Sequence, residues 1–138
     1  AFKANTNDTR ESSAINICKD LLEEGAILYI HDPKVNSLQI SNDLGKSENL
    51  QLKNLTLHDD FNFEGEWVFS ENLNDGFINA DAVVVLTEWV EYSNINWIES
   101  AKSMRYPAWV FDARSIIDPK EIKNANLNFW RIGDGSLN

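Results

Sequence analysis

Lysine and arginine stand beside turn-forming residues at several points in this chain, in positions suited to holding an anion. Lys3 precedes the polar run Asn5-Thr6-Asn7-Asp8, and Arg10 sits where that run starts a helix. Lys34 follows Asp32-Pro33, and Arg114 follows Asp112-Ala113. A cation just past a strand, near the outward-facing N–H groups of a helix start, can grip a phosphate. The rest of the chain makes those cations informative: 22 acidic against 12 basic residues give a formal net charge of −10. A body this acidic repels nucleic acid and anionic membrane, which argues against both as partners. His31 and His58 stand without a spaced partner, so no metal site is expected. Cys18 is the single cysteine. It rules out an internal disulfide and suits a reducing compartment, with a cytoplasmic location expected. No secretory leader pattern opens the sequence and no apolar run is long enough to span a bilayer.

The elements that must position these residues alternate in type. Asp8 to Gly25 reads as a helix, with Asp8 and Glu11 as a capping box, Ile15, Cys18, Leu21 and Leu22 at helical spacing, and Gly25 as its end. Ala26 to His31 is a strand stopped by Asp32-Pro33. Leu38, Ile40 and Leu44 mark a short helix. The polar, acidic stretch from Gly45 to Gly65 reads as a surface insertion hiding some short element. Trp67 to Phe69 reads as a short strand, and Leu73 to Asn79 as a short helix capped by Asn72. Ala82 to Thr87 is the strongest strand, apolar on both faces as central parallel strands are. Tyr92 to Met104 reads as one helix, Ala108 to Asp112 as a buried strand, and Pro119 to Asn124 as a helix capped by Asp118. Leu127 to Ile132 is an edge strand.

This order predicts a single α/β domain over residues 1–138, a Rossmann-like, doubly wound parallel sheet in three α/β/α layers. Ala1-Phe2-Lys3 reads as the tail of a strand begun earlier, so the sequence is expected to be a piece of a larger protein. Ligands of such sheets bind outside the carboxyl ends of the strands. The residues there are Lys3, Asp32 with Lys34, Thr87-Glu88-Trp89, and Asp112 with Arg114.

Four motifs in order, Phe2-Lys3 with Asp8-Thr9-Arg10-Glu11-Ser12, Asp32-Pro33-Lys34-Val35, Thr87-Glu88-Trp89 and Phe111-Asp112-Ala113-Arg114, resemble the C-terminal domain of the UDP-glucose/GDP-mannose dehydrogenase family. The resemblance runs from residue 1 to about Ile132, and the UDP-glucose branch is the closer. It implies NAD-dependent oxidation of UDP-glucose to UDP-glucuronate by the whole enzyme, a step that serves polysaccharide biosynthesis. The family's catalytic residues and most of its NAD site precede this domain. The chain would then supply nucleotide-sugar binding without catalysis, within a homo-oligomer. By the same resemblance Phe2 and Lys3 contact the nucleotide sugar, Arg10 reaches NAD across a domain interface, and Arg114 helps hold the uridine diphosphate. The family's glycine before that arginine is Ala113 here.

Each residue also has a plainer reading. Lys3 is a solvated strand end, Arg10 pairs with Asp8 or Glu11, and Arg114 pairs with Asp112 or Asp118. Asp32 forms a turn rather than binding a ribose, since no Gly-x-Gly-x-x-Gly accompanies it. Glu88 and Trp89 either pack and cap or touch ligand, and Cys18 is a buried helix residue. The competing functions are a stand-alone flavodoxin-like or Rossmann-like nucleotide-binding module and a structural assembly domain.

Overall fold

A computed structural model describes residues 13–54 and 65–132. Phe2, Lys3 and Arg10 lie outside the described residues. The chain divides into two compact units, residues 1–76 and 77–138.

In the first unit, α1 (Ser13–Glu23) leads into β1 (Ile27–Ile30), then α2 (Ser37–Leu44), a 3-10 turn (Leu50–Asn54) and β2 (Glu66–Phe69). Gly25 ends α1 at φ 88, and the amides of Gly25 and Ala26 donate to Leu22 O and Leu21 O, both at 3.0 Å. That is the paired closure of a helix that stops at a left-handed glycine. β1 and β2 pair in parallel from Ile27↔Glu66 to Ile30↔Phe69. Gly65 leads into β2 at φ 41, where a Cβ would stand 2.1 Å from Leu22 O of α1. Only glycine permits that approach. The core here is Val35, Ile40, Leu44, Leu52, Trp67 and Val68. Cys18 is half-buried rather than a core residue, since α1 presents no fully buried side chain.

The acidic stretch after Gly45 is not a detached insertion over its described part. Leu52 is 2% exposed and lies in the core. The Trp67 indole Nε1 donates to Lys46 O at 2.8 Å, and Asn49 N donates to Trp67 O at 2.7 Å. Phe69 N donates to Glu48 Oε2 at 2.9 Å, and the Tyr29 hydroxyl donates to Leu52 O at 2.6 Å. Bonds between backbone groups and side chains, with one apolar anchor, hold the segment, which its polar composition conceals. Residues 55–64 lie outside the described residues.

α3 (Leu73–Phe77) runs across the division between the units. The second unit continues with β3 (Ala82–Val85), α4 (Val90–Ser93), α5 (Trp97–Ala101), β4 (Trp109–Asp112), α6 (Pro119–Asn124) and β5 (Asn128–Arg131). Its sheet is wholly parallel in the order β3-β4-β5, with Val85 opposite Asp112 and Asp112 opposite Arg131. Among the described residues β4 is the central strand and β3 an edge, with Val84 40% exposed. β5 lies at the other edge, as expected. The helix predicted over Tyr92 to Met104 is two short helices. Asn94 ends α4, and the Asn96 side chain accepts from Glu99 N to start α5 afresh. α6 has the predicted cap, with the Asp118 carboxylate accepting from Lys120 N at 2.9 Å and proline in the first turn. Among the described residues no helix is long and apolar enough to cross a membrane.

Candidate functional site

The carboxyl edge of β3 and β4 carries the best-built polar cluster among the described residues. β4 ends at Asp112, whose residue is 0% exposed. Its Oδ1 accepts from Arg114 N at 3.0 Å, and its Oδ2 accepts from Ile116 N at 2.8 Å and Ile117 N at 2.9 Å. A buried carboxylate needs such donors, since burying a charge without partners is costly. The three bonds fold the chain back over the strand end and fix where the Arg114 backbone sits. Ala113 N donates to Val85 O at 3.0 Å, and Ile132 N donates to Asp112 O at 3.1 Å, so the loop root continues the ladders to both neighbouring strands. The left-handed residue of this loop is Ser115, at φ 58, not Ala113. The alanine that replaces the family's glycine therefore meets no penalty of backbone angle.

Arg114 turns its side chain to the end of β3. Its Nη2 meets Glu88 Oε1 at 3.1 Å, with the two side chains 27% and 44% exposed. The plainer reading of Arg114 as an ion-pair partner thus has substance, but the partner is Glu88 rather than Asp112 or Asp118. Such a partly exposed pair stabilises the fold by only about 0–1 kcal/mol. It holds a guanidinium in reach of solvent without burying it. Thr87 and Trp89, on either side of Glu88, are buried. Trp89 starts α4 without a side-chain cap, and its Nε1 is buried with no hydrogen-bond partner among the described residues. The pairing of Glu88 with Arg114 escaped the sequence reading, although both had been placed at strand ends. An acid and a base closing adjacent parallel strands was the available signal.

In the first unit Asp32 is buried at the end of β1, and its Oδ1 accepts from Lys34 N at 2.8 Å and Val35 N at 3.1 Å. It forms a turn, as expected. Lys34 is exposed beside it.

The family description that matches this chain is the UDP-glucose/GDP-mannose dehydrogenase family, UDP binding domain, over residues 1–119. UDP-glucose 6-dehydrogenase of Caenorhabditis elegans is 38% identical over 133 residues, covering 96% of this chain and 26% of the relative. The enzyme of the same name from Pongo abelii is 40% identical over 138 residues, with the same two shares, 96% and 26%. The chain thus spans about a quarter of the length of these relatives. The crystal structure of NDP-N-acetyl-D-galactosaminuronic acid dehydrogenase from Methanosarcina mazei Go1 superposes with a TM-score of 0.66 over 96% of this chain and 23% of that one, at 23% identity. The likeness is one of fold, and agrees with the Rossmann-like α/β alternation of parallel strands and helices.

Proposed function

Because the chain belongs to the UDP-glucose/GDP-mannose dehydrogenase family, we propose that it is the UDP-sugar-binding part of an NAD-dependent UDP-glucose 6-dehydrogenase. The observation that carries this reading is the partly exposed Arg114 guanidinium at the carboxyl edge of β3 and β4, on a loop anchored by a buried aspartate. Arginine suits a pyrophosphate because its planar fork can donate to two oxygens together. Phe2 and Lys3 would complete the contact to the nucleotide sugar, and Arg10 would reach toward NAD.

The Asp32 carboxylate at the end of β1 accepts the Lys34 and Val35 amides, as a turn residue does. NAD would be held mainly by other parts of the enzyme, and this chain alone would turn over nothing. Its work is to align the sugar donor and keep water from it, the protein's usual share of a hydride transfer. The whole enzyme would be cytoplasmic and homo-oligomeric, and light scattering would check the oligomeric state.

Calorimetric titration of UDP-glucose into the chain tests the reading. Binding should be measurable, and Arg114→Gln should weaken it about 10- to 100-fold, the worth of hydrogen bonds to a charged group. Equal binding by the variant, or none by the parent chain, overturns it.

A further inference from the structure

We propose that Glu88 sets the charge preference of this site, favouring a sugar diphosphate diester over a free nucleoside diphosphate. The proposal rests on the reading of Arg114 as the group that receives the diphosphate. Glu88 touches the guanidinium through a single contact, Nη2 to Oε1 at 3.1 Å. A guanidinium has five N–H donors, so an anion can join it without expelling the carboxylate. Both side chains are partly open to solvent, at 27% for Arg114 and 44% for Glu88, so a ligand can reach the pair. The backbone of Arg114 is pinned independently, by its amide bond to Asp112. Glu88 therefore acts on charge and side-chain direction, not on whether the loop forms.

A phosphate on the same guanidinium would stand within several ångströms of the Glu88 carboxylate. Each additional negative charge on the ligand adds a repulsion that, for solvent-reached charges several ångströms apart screened almost as in water, weakens binding by about threefold at low salt. A sugar diphosphate diester carries two charges. Free UDP ends in a phosphate monoester whose second pKa is near 6, so it carries close to three at neutral pH. With a formal net charge of −10, the chain already opposes anions generally. Glu88 places that opposition beside the phosphate-facing cation, where it discriminates between ligands that share the same uridine.

Glu88→Gln keeps an oxygen that Arg114 can donate to and removes only the charge. Titrations at low salt with uridine, UDP-glucose and UDP, into the parent chain, E88Q and R114Q, give a graded result. E88Q should leave uridine unchanged, tighten UDP-glucose about 10-fold and tighten UDP about 30-fold, with the gains shrinking in high salt. A merely structural role for Glu88 would move all three ligands together, and that outcome, no change at all, or weaker binding of UDP-glucose would overturn the proposal. R114Q separates the two readings. If R114Q weakens UDP-glucose while E88Q leaves the UDP to UDP-glucose ratio untouched, the inference about Glu88 fails alone. If R114Q binds like the parent chain, or the parent binds none of the three, the reading of Arg114 fails and this one with it.

Discussion

Two turns in this molecule are built to the same plan and differ in what they hold. Asp32-Pro33-Lys34 closes β1 and Asp112-Ala113-Arg114 closes β4. In each, the aspartate accepts the amide of the cation two residues later, at 2.8 Å for Lys34 and 3.0 Å for Arg114. Asp32 adds one further amide, Val35 N, through the same oxygen. Asp112 uses its second oxygen for two more, Ile116 N and Ile117 N, and is wholly buried. Arg114 also has an acidic partner across the strand ends, Glu88. An Asp-x-cation pattern is therefore not itself a site. The depth of the aspartate and the partner of the cation separate a positioned group from a solvated turn lysine.

The largest test of that contrast is Asp112→Ala. It leaves three amides without their acceptor, each worth about 1–3 kcal/mol when buried. Water will reach part of the loop, so the expected loss is about 3–5 kcal/mol in a urea melt. Asp112→Asn, which keeps the shape but offers only one acceptor oxygen, should lose roughly half as much. A loss below about 1 kcal/mol for the alanine variant would mean the loop is held by something other than this carboxylate.

The parts of this design that could be read in advance are those encoded by neighbours in sequence. Asp118-Pro119 announces α6, Gly25 ends α1, and the valine run makes β3, because caps, glycines and β-branched runs act locally. The turn at Asp32 was legible for the same reason. What escaped depends on distant partners. Glu88 and Arg114 are far apart in sequence and meet only because β3 and β4 pair in parallel. The stretch after Gly45 reads as a surface insertion from its polar composition, yet Leu52 anchors it in the core and bonds tie it to Trp67 and Tyr29. The break between α4 and α5 was written in Asn94 and Asn96. The spacing of Ile95, Ile98, Ala101 and Lys102 outweighed them, although asparagine favours caps over helix interiors.

The first unit has its own exacting contact, and it is one of backbone rather than charge. Gly65→Ala puts a Cβ onto Leu22 O at 2.1 Å and an L side chain at φ 41. Strain and displacement together should cost about 2–4 kcal/mol. Asp32→Ala should cost less, with the two amides it frees beside an exposed lysine contributing about 1–2 kcal/mol. If Asp32→Ala proved as damaging as Asp112→Ala, the distinction between the two turns would collapse.

The smallest effect at neutral pH belongs to Cys18 on α1, a helix with no fully buried side chain. The thiol is half-buried, and burial pushes its pKa up to about 11. Alkylation proceeds through the thiolate, so iodoacetamide should label the folded chain slowly at neutral pH. The labelling rate should climb until about pH 11 rather than levelling near 9, where a free thiol would. The linked stability follows the same window. With the folded pKa above the unfolded one, the thiol's contribution is complete below pH 9 and is lost as pH rises toward 11. Gly65→Ala, which presses on α1 one turn beyond Cys18, should raise the labelling rate at neutral pH by loosening the helix. A Cys18 that labels at the rate of a free thiol in the parent chain would mean that α1 does not shield it, and that this unit is held chiefly by the packing of β2 against the segment around Leu52.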